Sequence, residues 1–273
     1  DWMRQRLERC GIRSVSALVD IGNYVMLELG QPMHVYDAAR LSGSLTVRRA
    51  KEGETLACLN EKTVTLSADT LVVADEKGAL GIAGLMGGAA SAVSAETRSI
   101  VLEAAWFAPE TIAGKSRRYG FGSDSSFRFE RGVDYALQHD AMERATELVL
   151  QICGGTAGAV TEALGELPAP KRVSVRSARV AKVLGADIAA ERTGEILQRL
   201  GLQPENTAEG FAVTAPTFRY DIEIEADLIE EIARVHGYEN IPAKHTRGRL
   251  AMLGQPENRR LPSKTANRRS ARC

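Results

Sequence analysis

LTVRR (residues 45–49), TLACL (55–59), TVTL (63–66), TLVVA (70–74), GIAGL (81–85) and IVLEA (100–104) follow one another with turn residues between them. Short runs rich in Val, Leu and Thr and separated in this way predict a mostly antiparallel β region over 45–103. Gly84, Gly87 and Gly88 interrupt it where backbone must approach something closely. Upstream, 1–9 and 14–29 read as helices. Val15, Leu18, Val19, Tyr24, Val25 and Leu27 supply an apolar face, and Gly30 stops the run. Downstream, Pro109 suits the first turn of a short helix ending near Gly114. Residues 114–132 are rich in Gly, Ser and Arg without clear periodicity and read as a loop. Residues 134–152 read as a long amphipathic helix with Leu137, Ala141, Ala145, Leu148 and Ile152 on one face, closed by Gly154-Gly155.

Leu167-Pro168-Ala169-Pro170 reads as a linker. Beyond it the pattern is a strand at Arg172–Val175, helices at about 177–184 and 190–200, strands near 202–205 and 211–215, and a helix at about 223–236. Helix, turn, helix and a small β wing predict a winged-helix-like unit. The expected class is α+β, with a mixed antiparallel β/α unit at 1–167, the winged-helix-like unit at 171–245, and a basic, flexible tail at 246–273. The opening, Asp1-Trp2-Met3-Arg4, lacks an initiator Met and sits in a running helix, so the chain reads as an internal piece of a larger protein.

Composition sets limits. The chain has 273 residues, 44% hydrophobic and 26% charged, an ordinary globular mix. No run of 18 apolar residues occurs, so no membrane-spanning helix is predicted. Lys+Arg and Asp+Glu are 35 each, but 246–273 holds eight Arg/Lys and one Glu, leaving 27 basic and 34 acidic residues in 1–245. A body with that balance does not attract polyanions by bulk charge. The cysteines Cys10, Cys58, Cys153 and Cys273 are scattered with no C-x-x-C, which predicts a reducing, cytoplasmic compartment and no zinc site.

Five patterns carry possible chemistry. His34 follows the rigid turn Gly30-Gln31-Pro32 and is placed for work near neutral pH, or is a histidine bonded to backbone. Gly84-Leu85-Met86-Gly87-Gly88 bares N–H groups for an anion or a carbonyl oxygen, or forms a tight turn. It is neither a dinucleotide nor a P-loop motif. Glu103 ends an apolar strand and shares a face with Val101. An interior face there demands a donor for its carboxylate, whereas an outward face makes it an edge charge. Lys115, Arg117, Arg118, Arg128 and Arg131 alternate with Tyr119, Phe121, Phe127 and Phe129, a pattern for phosphates and bases or for pairing with local carboxylates. Asp221, Glu223, Glu225, Asp227, Glu230 and Glu231 crowd six acids into 11 residues, a magnesium-type donor set or a helix N-terminus favoured by its dipole.

Taken together, these segments resemble the β-subunit family of bacterial phenylalanyl-tRNA synthetases. The carrying stretches are VDIGNYVMLELGQPMHVYD (19–37), Lys51–Leu56, Gly84–Gly88, Ile100–Glu103, SDSSFRFERGVD (123–134), QHDAMERAT (138–146), Cys153-Gly154-Gly155 and Ala215–Pro242. The resemblance covers nearly all of 1–245 in the family's order and implies a B3/B4 editing domain followed by a B5 domain. It implies hydrolysis of tyrosine mischarged onto tRNA(Phe). Catalytic roles fall on His34 and Glu103, with Glu103 recognising the tyrosine hydroxyl. Substrate-binding positions fall on Asn23, Gly87, Glu103, Ser123 and Ser125. The last two stand where some relatives have Thr and Ala, and Gly22 where relatives often have Thr. Asp221, Asp227, Glu230 and Glu231 match magnesium positions facing the α subunit. Implied partners are tRNA(Phe) and that α subunit, in an α2β2 assembly. ATP-dependent aminoacylation is not expected here, because the family's ATP-binding core belongs to the α subunit.

Elementary chemistry is consistent with that implication. An aminoacyl ester is activated, so a positioned water suffices and no Ser-His-Asp triad is needed. Accepting tyrosine over phenylalanine needs a buried polar group that the wrong ligand leaves unpaired, worth up to about 10⁴–10⁵ in discrimination. The alternative is a non-catalytic module that binds RNA or the α subunit and carries a vestigial pocket. The helix at 190–200 sets Arg192 and Arg199 against Glu191 and Glu195, which favours protein contacts over DNA.

Overall fold

The computed structural model describes residues 1–243. The tail expected at 246–273 lies outside them. The elements run α1 (Trp2–Arg9), α2 (Ala17–Leu29), β1 (Met33–Asp37), β2 (Thr46–Arg49), β3 (Thr55–Ala57), β4 (Thr63–Thr65), β5 (Leu71–Ala74), β6 (Ala79–Ile82), β7 (Met86–Gly87) and β8 (Ile100–Ala104). Then come α3 (Pro109–Ile112), α4 (Lys115–Tyr119), α5 (Asp124–Phe129) and α6 (Gln138–Cys153). After residues 154–171, which form neither helix nor strand, come β9 (Arg172–Arg176), α7 (Ser177–Leu184), α8 (Ala190–Arg199), β10 (Gln203–Asn206), β11 (Gly210–Thr214) and α9 (Glu225–His236).

The ribbon β1–β8 positions everything that follows. Its strands pair antiparallel, with Met33 opposite Ala104, His34 opposite Glu103, and Tyr36 opposite Val101. Residues directly opposite in such a pair share a face, and alternate residues switch faces. Met33 and Leu102 therefore pack on a helical layer made by Met3 and Leu7 of α1, Ile21 and Val25 of α2, and Ala145 and Leu148 of α6. Tyr36 and Val101 turn the other way, into a core with Val73, Leu80, Phe107 and Phe129. On that side lies a four-stranded antiparallel sheet in the order β2-β5-β6-β7, with the hairpin β3–β4 beside it.

The second unit is built by simple alternation. Val173 and Val175 of β9 point inward while Arg172, Ser174 and Arg176 point out. The sheet order is β10-β11-β9, all antiparallel. Ile196 and Leu197 of α8 and Leu228, Ile229 and Ile232 of α9 bury against it at helical spacing. The mixed α+β class and the winged-helix-like order are as the sequence predicts.

Several expectations are corrected. The segment 114–132 is not a loop but holds α4 and α5. Gly114 and Gly120 bound α4 in left-handed conformation, and Ser123 opens α5 with a capping box. Helices of five and six residues are too short to show a period. The strand expected at 81–85 is β6, set two residues earlier, because Gly84 turns the chain there with φ +66°. The long helix starts at Gln138, since the Asp134 carboxylate accepts from Ala136 N and holds a turn before it. Val15 precedes α2 and stays exposed, its N–H given to the buried Asp20 carboxylate. Ile152, in the last turn of α6, is also exposed.

Candidate functional site

The turn before β1 is locked from inside. Gly30 ends α2 with φ 88°, and Gln31 is fully buried. Its amide nitrogen donates to Pro32 O (2.9 Å) and Ala105 O (2.8 Å), and its oxygen accepts from Gln138 Nε2 (2.9 Å). The strand that carries His34 and Tyr36 is thereby tied to the end of β8 and to α6.

His34, Tyr36 and Glu103 share one face and line a cleft of about 470 Å³ counted to its open mouth. The glycine-rich turn 81–87 forms its opposite wall, and Ser125 and Phe129 of α5 complete it. His34 Nε2 is buried without a hydrogen-bond partner among the described residues. Burial pulls the imidazole's pKa down to about 4, so the ring is neutral at pH 7 and its free nitrogen can accept a proton. Its ring meets Tyr36 edge-on, with centroids 4.4 Å apart. Gly87 presses against the same imidazole: a Cβ there would lie 2.9 Å from His34 Nε2 and 3.0 Å from Leu59 Cδ1.

Glu103 has one hydrogen-bond partner among the described residues, the Tyr36 hydroxyl, which donates to Oε2 in a short bond. Desolvation pushes the Glu103 carboxyl above its ordinary value, and the bond from Tyr36 opposes that rise. The Tyr36 phenol is held far above its ordinary value by burial and by the carboxylate, so it stays a donor.

The other positions matched by the resemblance are placed differently. Ser125 lines the cleft, and its hydroxyl lies 3.9 Å from Met26 Sδ. Ser123 is not among the lining residues. Its hydroxyl donates to Leu85 O (2.7 Å) and accepts from Ser126 N (3.0 Å), which ties the glycine-rich turn to the start of α5. Asn23 lies on α2, outside the cleft lining. Tyr36 is the residue the sequence reading missed. The alternation Met33/Val35 against His34/Tyr36 is its signal, but only once 33–37 is read as a strand.

Four cations of the basic–aromatic segment, Lys115, Arg118, Arg128 and Arg131, are paired with carboxylates. Lys115 is buried and bonds Asp69 (2.6 Å), as does Arg118. Arg131 pairs with Glu130 and stacks 3.6 Å over Phe127.

The acidic run does not fit a magnesium site as it stands. Asp227 Oδ2 accepts from Glu223 N (2.8 Å) and Ile224 N (2.9 Å) and so caps α9. Arg219 grips Asp221 with two bonds (2.9 and 2.7 Å) and reaches Glu231 at 2.9 Å. Arg234 also bonds Glu231. These guanidiniums hold both carboxyls below the usual carboxylate range: Arg219 for Asp221, and Arg234 with Arg219 for Glu231. Glu230 lies apart, on a groove with Ile224 and Tyr238. No group of three or more His, Cys, Asp or Glu is gathered for a metal ion among the described residues. Arg219→Met is expected to lower this unit's unfolding free energy by about 2 kcal/mol in a urea titration, less than the ~3–5 of a buried charge left alone, because Arg234 remains. Magnesium is expected to leave the wild-type midpoint in place. A magnesium-raised midpoint, or an Arg219→Met midpoint equal to wild type, contradicts this account.

Residues 1–154 match the family model of the B3/4 domain, and residues 173–238 match that of the tRNA synthetase B5 domain. These two matches define a segment of the aminoacyl-tRNA synthetase class. Within that class the chain belongs to the phenylalanine–tRNA ligase β-subunit family. It is 74% identical to the "Phenylalanine--tRNA ligase beta subunit" of Neisseria meningitidis serogroup B over 272 residues, 100% of this chain and 35% of that protein. It is 60% identical to the protein of the same name from Chromobacterium violaceum over 259 residues, 95% of this chain and 33% of that protein. The chain therefore spans about a third of the length of these relatives. A crystal structure of an N-terminal fragment of the phenylalanyl-tRNA synthetase β-subunit from Pyrococcus horikoshii aligns with 81% of this chain and 65% of that one, at 15% identity and TM-score 0.41. No helix among the described residues is long and apolar enough to cross a membrane.

Proposed function

We propose that the cleft takes the tyrosyl end of mischarged tRNA(Phe) and promotes hydrolysis of its ester, as an editing site within a phenylalanine–tRNA ligase. One observation carries this reading: an unpartnered neutral imidazole, a close glycine backbone and a half-buried carboxylate line one cleft in a chain of this family. Glu103 accepts the phenol of tyrosine. For phenylalanine the same carboxylate faces apolar carbon, which penalises the wrong ligand. The neutral His34 imidazole takes the proton of a water as the water oxygen bonds to the ester carbon. The bond from that carbon to the ribose oxygen then breaks, and the proton passes to the leaving oxygen. The products are tyrosine and uncharged tRNA. No magnesium ion takes part in this reading.

The partners proposed for the whole protein are tRNA(Phe) and an α subunit, in a cytoplasmic α2β2 ligase that uses ATP and magnesium on the α side. A second reading, a non-catalytic binding module, finds support only in the second unit. There Arg192 (2.7 Å) and Arg199 (3.7 Å) both pair with Glu195, which leaves α8 poor in free cations and suited to protein rather than RNA.

The test is deacylation by the full chain of tRNA(Phe) carrying tyrosine or phenylalanine. Faster release of tyrosine is expected. Equal rates for the two, or no release above the buffer rate, ends the editing reading and leaves the binding module.

A further inference from the structure

We propose that Tyr36 is the positioning residue of the specificity carboxylate: its hydroxyl holds Glu103 by one oxygen and leaves the other to receive a ligand's phenol. The inference rests on the editing reading above and adds a residue to it.

The geometry starts with the ribbon. Tyr36 sits opposite Val101, and Glu103 sits opposite His34, so Tyr36 and Glu103 are diagonal neighbours on one face. Long side chains reach across such a diagonal. Tyr36 is only 2% exposed, and its ring is packed with Val73, Phe107 and Phe129, so the hydroxyl has a fixed place. It donates to Oε2. The other oxygen, Oε1, has no hydrogen-bond partner among the described residues, and Glu103 lines the cleft. The ribbon thus carries its own phenol on the carboxylate that is to read a second one. A free glutamate side chain samples several rotamers, and a ligand that must select one of them binds less tightly. The internal phenol removes that freedom before the ligand arrives. The same ring packs edge-on against His34, so one side chain contacts both His34 and Glu103.

A charge consequence follows. Of the residues lining the cleft, His34, Tyr36 and Glu103 alone titrate; the glycine-rich turn, Phe107, Ser125 and Phe129 bring no charge. His34 is neutral above about pH 5, given its value of about 4. Burial favours protonation of Glu103, and the Tyr36 hydroxyl is the group that opposes it. Without that hydroxyl the carboxyl protonates at a higher pH.

The test is calorimetric titration of the full chain with free L-tyrosine and L-phenylalanine, for wild type, Tyr36→Phe and Glu103→Ala, from about pH 5 to about pH 8. Tyr36→Phe keeps the ring and removes the hydrogen bond. It is expected to narrow the tyrosine-to-phenylalanine affinity ratio about tenfold at neutral pH, the size of one charge-assisted hydrogen bond. The pH at which that ratio falls is also expected to rise relative to wild type, which a merely structural loss does not produce. If Glu103→Ala loses the ratio and Tyr36→Phe keeps the wild-type ratio at every pH, this proposal is overturned and the editing reading stands. If wild type shows no preference, the editing reading fails and takes this inference with it. Should Tyr36→Phe not fold, proton NMR of the wild type decides. A slowly exchanging Tyr36 hydroxyl proton, lost in Glu103→Ala, supports the proposal; its absence in wild type overturns it.

Discussion

Glu103→Ala is expected to collapse the preference for tyrosyl over phenylalanyl ester by about 10²–10⁴-fold. Two terms combine. The tyrosine phenol loses a charge-assisted hydrogen bond, which is worth about 1.5–3 kcal/mol. Phenylalanine loses the penalty of stripping water from a carboxylate it cannot pair, about 1–3 kcal/mol more. The ratio of the two initial deacylation rates reads the sum directly. The fold is expected to tolerate the change, because Glu103 lies in the cleft wall and its burial disfavours the charge it carries. The pH profile has a definite sign. Burial raises the carboxyl pKa, so wild-type selectivity fades as pH falls, at a higher pH than an exposed glutamate would give. A Glu103→Ala chain that keeps its preference removes the carboxylate from ligand recognition.

How much of this was legible in the sequence depended on length and on distance along the chain. The second unit was readable because β9 alternates over five residues and α8 and α9 run long enough to show a period. Glu103 was readable to the level of a face, since in a strand its side chain lies on the side of Val101 and a carboxylate at the end of an apolar run stands out. Tyr36 was not, because Met33–Asp37 follows Gly30-Gln31-Pro32 closely and reads as the tail of a turn. Its strand exists through pairing with β8, more than 60 residues away along the chain. The serines at 123–126 were legible as small polar groups, but not as a cap. The box there closes with Ser126 in place of the usual Glu or Gln, and the bond that the Ser123 hydroxyl donates outside the box, to Leu85 O, spans 38 residues. The acidic run was plain, yet its state is decided by Arg219 just before it and Arg234 just after. Composition counts charges; only the fold says which of them are already neutralised.

The second large effect is expected at Gly87, where a single methyl group tests whether His34 is the hydrolytic residue. A Cβ on Gly87 overlaps His34 Cε1 and lies 2.9 Å from Nε2. Neither side can give way easily. Gly87 is paired with Gly81 across β6–β7, and the next residue donates Gly88 N–H to Leu80 O at 2.6 Å, so the backbone is pinned. Behind the imidazole stands the Tyr36 ring, itself buried. The ring must therefore tilt within the cleft and leave the place from which it takes the proton of the water. Misplacing a reacting group by about 1 Å costs on the order of 10²-fold in rate. Gly87→Ala is accordingly expected to slow deacylation about 10²-fold for tyrosyl and phenylalanyl esters alike. The two substitutions then separate the cleft's tasks: Glu103→Ala changes the ratio of the rates, and Gly87→Ala lowers both together. If Gly87→Ala deacylates at the wild-type rate, the imidazole's position does not matter to the chemistry, and the proton of the water must be taken by some other group.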